Sequence, residues 1–252
     1  MTALEQAAEA IKGARKILAF TGAGISVESG IPPFRGSKDS LWENYDPDII
    51  HLDYFHNHPK ESWEFIRDVF YKYMSRRDIL PNAAHKFLAA LEREGKLTAI
   101  VTQNIDNLHQ MAGSKVVWEF HGTTATLSCE HCGGKISAKE VDLEEEFPPR
   151  CEKCGKVLKP DFIFFGEGIP REAYEGSIAA TEGVDICIVV GTSGLVMPAD
   201  MIPIMAKRNG AKIIEFNTQP SKFTEEGMTD IFVQGKAGEE MGKLADILGI
   251  EI

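Results

Sequence analysis

The chain has 252 residues, 43% apolar and 26% charged, which is the composition of an ordinary globular protein able to bury one large core and carry an inserted lobe. Its formal net charge of -11 argues against a broad electrostatic grip on nucleic acid, whose phosphates need clustered Lys and Arg, and is compatible with basic polypeptide partners. No apolar run reaches the ~18 residues that span a bilayer, and the opening MTALEQAAEAIKGARK, interrupted by Glu5 and Glu9, reads as a surface helix and not a signal peptide, so a cytoplasmic protein without membrane or nucleic-acid contacts is expected.

The first apolar strand, Lys16–Phe20, turns sharply through Thr21-Gly22-Ala23-Gly24-Ile25-Ser26 into an expected helix N-terminus. Glycines there let backbone N–H groups approach a pyrophosphate, and a helix end favours negative charge. The usual G-x-G-x-x-G fingerprint is incomplete because Val27 holds its third position, and by itself the Gly-Ala-Gly fits a simple tight turn as well. Residues 36–80 are rich in aromatics, Trp42 and Trp63 among them, and read as helices packed over a sheet. A helical pattern follows at Asn82–Glu94. The strand Leu97–Val101 then runs into Thr102-Gln103-Asn104-Ile105-Asp106, a cluster of amide and carboxylate side chains at a strand's C-terminal end. Open α/β sheets place their ligand chemistry there. Next comes Phe120-His121-Gly122, where the glycine permits close backbone approach. The blander reading of the polar cluster has against it the cost of placing so many polar groups in a core, and the reading of His121 as a core histidine beside a glycine turn has the neighbouring motifs against it.

Four of the five cysteines form Cys129-x2-Cys132, then eighteen residues, then Cys151-x2-Cys154, each pair followed by glycine. In a cytosolic chain this is not a disulfide framework but the spacing of a tetrahedral zinc site. Four thiolates leave no open coordination position, so the zinc is expected to be structural. Cys187, in the buried-strand pattern Asp185-Ile186-Cys187-Ile188-Val189-Val190, reads as a small core hydrophobe.

Further strands are expected at Ile186–Val190 and Lys212–Phe216, with a weaker one at Ile231–Val233 and a helix at Ala199–Asn209. Two of them end in small or polar groups, Gly191-Thr192-Ser193 and Asn217-Thr218. Alternating strands and helices imply a parallel sheet covered on both faces, whose polar strand ends gather in one crevice. The fold class expected is therefore α/β. A Rossmann-like domain would be formed by residues 1–35, 81–122 and 160–252, and an inserted smaller domain by a helical module at 36–80 and a zinc-ribbon lobe at 123–159.

Gly22-Ala23-Gly24-Ile25-Ser26, Gly30-Ile31-Pro32-Pro33-Phe34-Arg35, Thr102-Gln103-Asn104-Ile105-Asp106, His121-Gly122, Phe165-Gly166-Glu167 and Gly191-Thr192-Ser193 occur in this order, with the four cysteines between them. In that combination the chain resembles the sirtuins, NAD-dependent protein-lysine deacylases, from about residue 10 to about residue 245. The resemblance implies a reaction that first cleaves nicotinamide from ribose by attack of the acyl oxygen of a modified lysine. A hydroxyl of the same ribose then attacks the resulting imidate, giving free lysine and O-acyl-ADP-ribose. It implies His121 as general base, which suits an imidazole titrating near neutrality. It also implies Asn104 on ribose hydroxyls or an ordered water, Asp106 and Ile105 on the nicotinamide carboxamide, and Gln103 facing the ribose. Phe34 would shield the reactive carbon and Arg35 fix the loop. Gly22, Ala23, Gly24 and Ser26, with Gly191, Thr192 and Ser193, would line the phosphate and adenosine path. Asn217 would meet the adenine ribose and Ala237 border the adenine.

The resemblance further implies an acetylated peptide or protein bound as an extended strand between Ile163–Glu167 and Gly194–Val196, with Ile163, Phe164, Phe165, Gly166 and Val196 as contacts. Phe162, Phe164 and Phe165 could equally be hairpin core; their alternation points to Phe165 as the tunnel wall. Relatives that prefer succinyl or malonyl groups carry Tyr-x-x-Arg where this chain has Ile66-Arg67-Asp68-Val69, and a small Ala near the position of His51. Both departures favour acetyl, although Tyr73-Met74-Ser75-Arg76 lies about two turns on. Two other readings stay open on the sequence: mono-ADP-ribosyl transfer, and a catalytically silent NAD- or peptide-binding module with a zinc ribbon. Retention of both His121 and Asn104 argues against the second.

Overall fold

The computed structural model describes residues 1–33, 46–72, 76, 78–143 and 147–252. Among the described residues nine strands follow one another: β1 (Ile17–Thr21), β2 (Leu97–Thr102), β3 (Val117–Glu119), β4 (Gly122–Ser128), β5 (Lys135–Ser137), β6 (Lys159–Phe162), β7 (Ile186–Val190), β8 (Lys212–Asn217) and β9 (Ile231–Gln234). Six of them form a parallel sheet in the order β3-β2-β1-β7-β8-β9, and β5-β4-β6 form a small antiparallel sheet. Strand order therefore reverses direction between β1 and β7, which is where an α/β sheet opens a crevice at its C-terminal edge.

Alternation along β1 explains the two-sided burial. Ile17 and Ala19 face a layer built from the helices Ala3–Gly13, Ala83–Arg93 and Ala237–Leu248, through Ile11, Phe87, Leu88, Met241 and Leu244. Leu18 and Phe20 face the opposite layer, where Ile202 and Ala206 of the helix Met201–Arg208 pack with Phe223. Such two-sided burial is why the parallel strands read as unbroken apolar runs. Cys187 is fully buried in this second layer, its thiol pushed up to about 12 by burial, as expected of a core residue. Among the described residues, no helix is long and apolar enough to cross a membrane.

A third apolar cluster is separate from the sheet. Ile50 at the end of the 3-10 turn Pro47–Ile50, and Phe55, Trp63, Phe65 and Phe70 from the helices Leu52–Asn57 and Pro59–Ile66 and the π-turn Arg67–Tyr71, pack with Leu127, Leu158, Phe162 and Phe164 and with Cys129 and Cys151. The aromatic segment and the cysteine segment thus share one core. Trp63 Nε1 donates to Leu158 O (2.8 Å), so the one polar atom of that indole is satisfied across the two segments. The sequence reading leaves out β3, a three-residue edge strand, the pairing of the antiparallel sheet that carries His121 to its position, and the helices Arg171–Ala179 and Ala237–Leu248.

Candidate functional site

The polar ends of β1, β2, β7 and β8 meet at the crevice. The loop after β1 winds as a tight 3-10 helix, Ala23–Ser29, instead of opening a regular α-helix. Gly22 N–H donates to Val190 O (3.0 Å) and Gly24 N–H to Gly191 O (2.8 Å), so both glycine N–H groups are taken up by the end of β7 and the loop that follows it. The two loops touch so closely that a Cβ on Gly24 would lie 2.6 Å from the Gly191 Cα. These glycines serve close backbone packing first. Asn82 locks the loop from behind, its Nδ2 donating to Ile25 O (2.7 Å) and Ser29 Oγ (2.9 Å).

Hydrogen bonds link the strand ends in series. Gln103 Nε2 donates to Thr192 Oγ1 (3.0 Å), and Asn217 Nδ2 donates to Thr192 O (2.8 Å). Asn104 Nδ2 donates to Gly22 O (3.1 Å) and Ser26 Oγ (3.2 Å). Ser26 Oγ in turn donates to Asp106 Oδ2 (2.7 Å), whose other oxygen accepts from Leu108 N–H (3.0 Å). Burial raises the Asp106 carboxyl above its ordinary value, and the bonds from Leu108, Ser26 and Asn104 oppose the rise.

His121 arrives on the antiparallel sheet. Gly122 pairs with Phe162 and has φ +72, and a Cβ there would meet Asp161 O at 2.1 Å, so only glycine fits beside this histidine. Ile163 N–H donates to His121 O (2.8 Å). The imidazole Nδ1 lies 3.0 Å from Gln103 O. A carbonyl oxygen only accepts, so the proton sits on Nδ1 and the Nε2 lone pair stays available. Burial lowers the His121 pKa, and the Gln103 carbonyl partly offsets that.

Beneath these groups lies a layer that sequence reasoning missed. Thr21 Oγ1 donates to Thr102 Oγ1 (2.9 Å) and lies 2.9 Å from His109 Nε2, while His85 Nε2 lies 3.5 Å from Ser26 Oγ. The two imidazoles are 4.9 Å apart and fully buried. Burial lowers His85 to about 4; burial and then the neighbouring His85 hold His109 well below the ordinary value. Among the described residues neither Nδ1 has a hydrogen-bond partner. Their sequence signal was present but weak: His85 falls on the buried face of the Asn82–Glu94 pattern, and His109 three residues past Asp106. Glu215 was missed too. It is fully buried on β8 beside Asn217 and accepts from Ser221 Oγ (2.8 Å), Thr224 Oγ1 (2.6 Å) and Thr229 Oγ1 (3.0 Å), which explains a carboxylate inside a sheet.

Other expected residues are distributed less uniformly. Ala23 and Ser193 lie on the two touching loops, and Ile105 is half-buried with its carbonyl accepting from Thr124 Oγ1 (2.8 Å). Ala237 is buried in the first core layer at the start of the last helix. Phe34, Arg35 and Tyr73 lie outside the described residues. Ile163 is half-buried, and Phe165, Gly166 and Val196 are exposed. Phe164, expected on the peptide side, turns inward: it is 1% exposed and stacks on Phe162 at 4.8 Å between ring centres, so its side chain is withdrawn from a ligand. Phe165 packs its ring 5.4 Å from that of His51.

The four cysteines Cys129, Cys132, Cys151 and Cys154 gather their Sγ atoms within 4.8 Å of one another, with separations of 3.5 Å (Cys129–Cys154), 3.5 Å (Cys132–Cys151) and 3.7 Å (Cys132–Cys154). Tetrahedral ligands at the usual Zn–S distance lie ~3.8 Å apart. Each pair is folded into a knuckle, by Gly133 N–H to Cys129 O (2.9 Å) and Gly155 N–H to Cys151 O (2.7 Å). The backbone N–H of Cys132 draws the Cys129 thiol below its ordinary value, whereas burial and the neighbouring thiols push Cys154 up. The set fits a structural zinc ion.

Comparisons with known proteins identify the relatives of this chain. The model of the Sir2 family matches residues 22–198. An NAD-dependent protein deacylase of Thermococcus kodakarensis is 43% identical over 249 residues, covering 96% of this chain and 94% of the relative. An NAD-dependent protein deacetylase of Pyrobaculum aerophilum is 40% identical, covering 97% and 94%. Among solved structures, a Sir2 homologue–NAD complex is similar with a TM-score of 0.87 and 35% identity, covering 97% of this chain and 93% of that one. A Sir2 variant holding a deacetylated p53 peptide and 3′-O-acetyl ADP-ribose is similar with a TM-score of 0.90 and 32% identity, covering all of both chains at 100%.

Proposed function

Since the chain belongs to the Sir2 family and is an NAD-dependent protein deacylase, we propose that it removes acetyl groups from lysine side chains, with His121 as the general base and O-acetyl-ADP-ribose and nicotinamide as products. The observation that carries this reading is the Nδ1 hydrogen bond of His121 to Gln103 O, which leaves a neutral imidazole with an open Nε2 beside the amide cluster of β2. NAD supplies the ribose and the leaving nicotinamide. Asn104, already tied to Gly22 O and Ser26 Oγ, holds ribose hydroxyls or a water without placing charge beside a developing cation. Asp106, anchored by Ser26 and Leu108, accepts from the nicotinamide carboxamide with Ile105 alongside. Gln103 faces the ribose, the Gly22–Ser26 loop with Thr192 and Ser193 follows the phosphates, and Asn217 meets the adenine ribose.

The peptide adds as an extended strand along Ile163–Glu167 and Gly194–Val196, with Phe165 as the exposed wall of the acyl-lysine tunnel. The cofactor domain comprises residues 1–35, 81–122 and 160–252, and the small domain 36–80 and 123–159; the apolar cluster joining the last two segments supports that division, although Phe162 and Phe164 pack into the same cluster and β6 crosses the boundary. Acetyl preference is supported by Ile66 and Val69, which are buried and apolar where acidic-acyl relatives carry a Tyr and an Arg. The cations nearby are engaged: Arg67 Nε bonds Asp68 (2.9 Å) and covers the Phe147 ring, and Arg76 pairs with Asp78. Incubation with NAD and an acetylated peptide tests the reading. Nicotinamide release that depends on the acetyl group supports it, whereas label from NAD appearing on the protein acceptor would favour mono-ADP-ribosyl transfer.

A further inference from the structure

Lysine is almost never buried without a partner. Lys159, at the start of β6, has a side chain only 7% exposed. Its ammonium carries three protons, and three acceptors are in reach: Pro160 O (3.0 Å), Phe162 O (3.2 Å) and Glu167 Oε2 (3.0 Å). The Phe164 ring lies 4.7 Å from the same nitrogen, within range of a cation–π contact. Glu167 Oε2 also accepts from the Phe164 N–H (2.9 Å), and Glu167 N–H closes the turn onto Phe164 O (3.0 Å). One ion pair thus ties the end of β6, the inward Phe164 and the far end of the turn to a single point.

The same turn fastens outward on both sides. Ile163 N–H reaches His121 O, while Phe165 pairs with the helical module through Phe165 N–H to Ile50 O and Leu52 N–H to Phe165 O (both 3.0 Å). Ile163 and Phe165 point away from the buried Phe162 and Phe164, so the clamp decides which residues of the segment face a ligand. A buried ion pair contributes little net stability, because desolvating two charges costs about as much as their attraction returns. Its consequence here is geometric.

We propose that Lys159 and Glu167 form a positioning pair for substrate: the Lys159–Glu167 bond, closed over the Phe162–Glu167 turn, holds the backbone against which the acyl-lysine peptide docks and ties it to His121. The inference rests on the reading of residues 163–167 as one wall of the peptide groove. It assigns no chemistry to either residue. Affinity for the peptide depends on the pair, and affinity for NAD does not.

The test uses the zinc-loaded full chain and a fluorescent acetyl-lysine peptide, titrated by anisotropy, with KM for peptide and for NAD measured in parallel. Removing one partner leaves the other charge buried and alone, which risks the fold. The informative variant is therefore Lys159→Met/Glu167→Gln, in which the amide oxygen still accepts from Phe164 N–H, with zinc content and melting temperature as controls. Peptide Kd and KM are expected to rise about tenfold or more, while KM for NAD stays within about threefold. Lys159→Arg, which keeps a cation against Glu167, is expected to retain most peptide affinity. Equal losses for peptide and NAD, or peptide binding that survives the double substitution, would overturn the proposal alone. Failure of the wild-type chain to bind the acetylated peptide at all would contradict the deacetylase reading and the proposal with it.

Discussion

The Nδ1 of His121 and the backbone oxygen of Gln103 lie 3.0 Å apart, and that contact determines which imidazole nitrogen faces the crevice unprotonated. Burial holds His121 below its ordinary value, so at neutral pH the ring is already a base. Activity should then fall as pH drops through the lowered pKa and stay flat above it. A profile of kcat/KM between about pH 5 and 8 is expected to show an acid limb centred below about 6.5. A limb centred at 7 or higher would mean that a different group titrates.

Zinc removal is expected to be structural in its effect. Structural zinc contributes on the order of 10 kcal/mol or more of site stability, and Cys129 and Cys151 belong to the same core as Trp63 and Phe162. Cys151→Ala should lose the metal, open this core and abolish activity although no cysteine performs chemistry. Elemental analysis reads the metal, and hydrogen exchange over residues 123–159 reads the lobe. Active protein without zinc would refute the assignment.

Acetyl-lysine should be preferred over succinyl-lysine. An unpaired carboxylate in an apolar tunnel costs several kcal/mol, and Ile66 and Val69 offer it no partner. A preference in kcat/KM of roughly hundredfold or more on matched peptides is expected. Faster turnover of the succinyl peptide would show that another cation reaches the tunnel.

The buried imidazoles predict an acid-sensitive fold. Burial holds His85 near 4, and burial and then the neighbouring His85 hold His109 well below its ordinary value, against about 6.5 in the unfolded chain. Folded pKa values below the unfolded one mean that stability is complete above about pH 6.5 and is lost as pH falls toward the folded values. For His85 the loss by pH 5 is about 2 kcal/mol. Urea unfolding of the wild type and of His85→Gln at several pH values checks this. The variant should lose less stability between pH 6.5 and 5, and an unchanged slope would remove His85 from the account.

How far the sequence reaches depends on how local each signal is. The Thr102–Asp106 string and the cysteine spacing were legible because each places several chemical groups within a few residues of one another. The parallel strands were legible because burial on both faces leaves unbroken apolar runs, as in Ile186–Val190. The edge strand Val117–Glu119 was not, since its three residues are all half-buried and carry no clear period. Nor was the inward turn of Phe164, because three phenylalanines in four positions suit a core and a tunnel wall alike. Lys159 and Glu215 escaped for a third reason: each looks like a surface charge until the fold brings its partners around it.

The central claim is that His121 acts as the base after nicotinamide has left, and the separation of two rates in His121→Ala tests it most directly. Exchange of labelled nicotinamide into NAD needs only the first, reversible step, whereas O-acetyl-ADP-ribose formation needs the base. With peptide binding confirmed by titration, His121→Ala should lose product formation by roughly 10²–10⁴ while exchange survives far better. Asn104→Ala, which disturbs the ribose before any bond breaks, should impair both. Equal loss of exchange and product formation in His121→Ala would contradict the account and assign His121 to binding or structure.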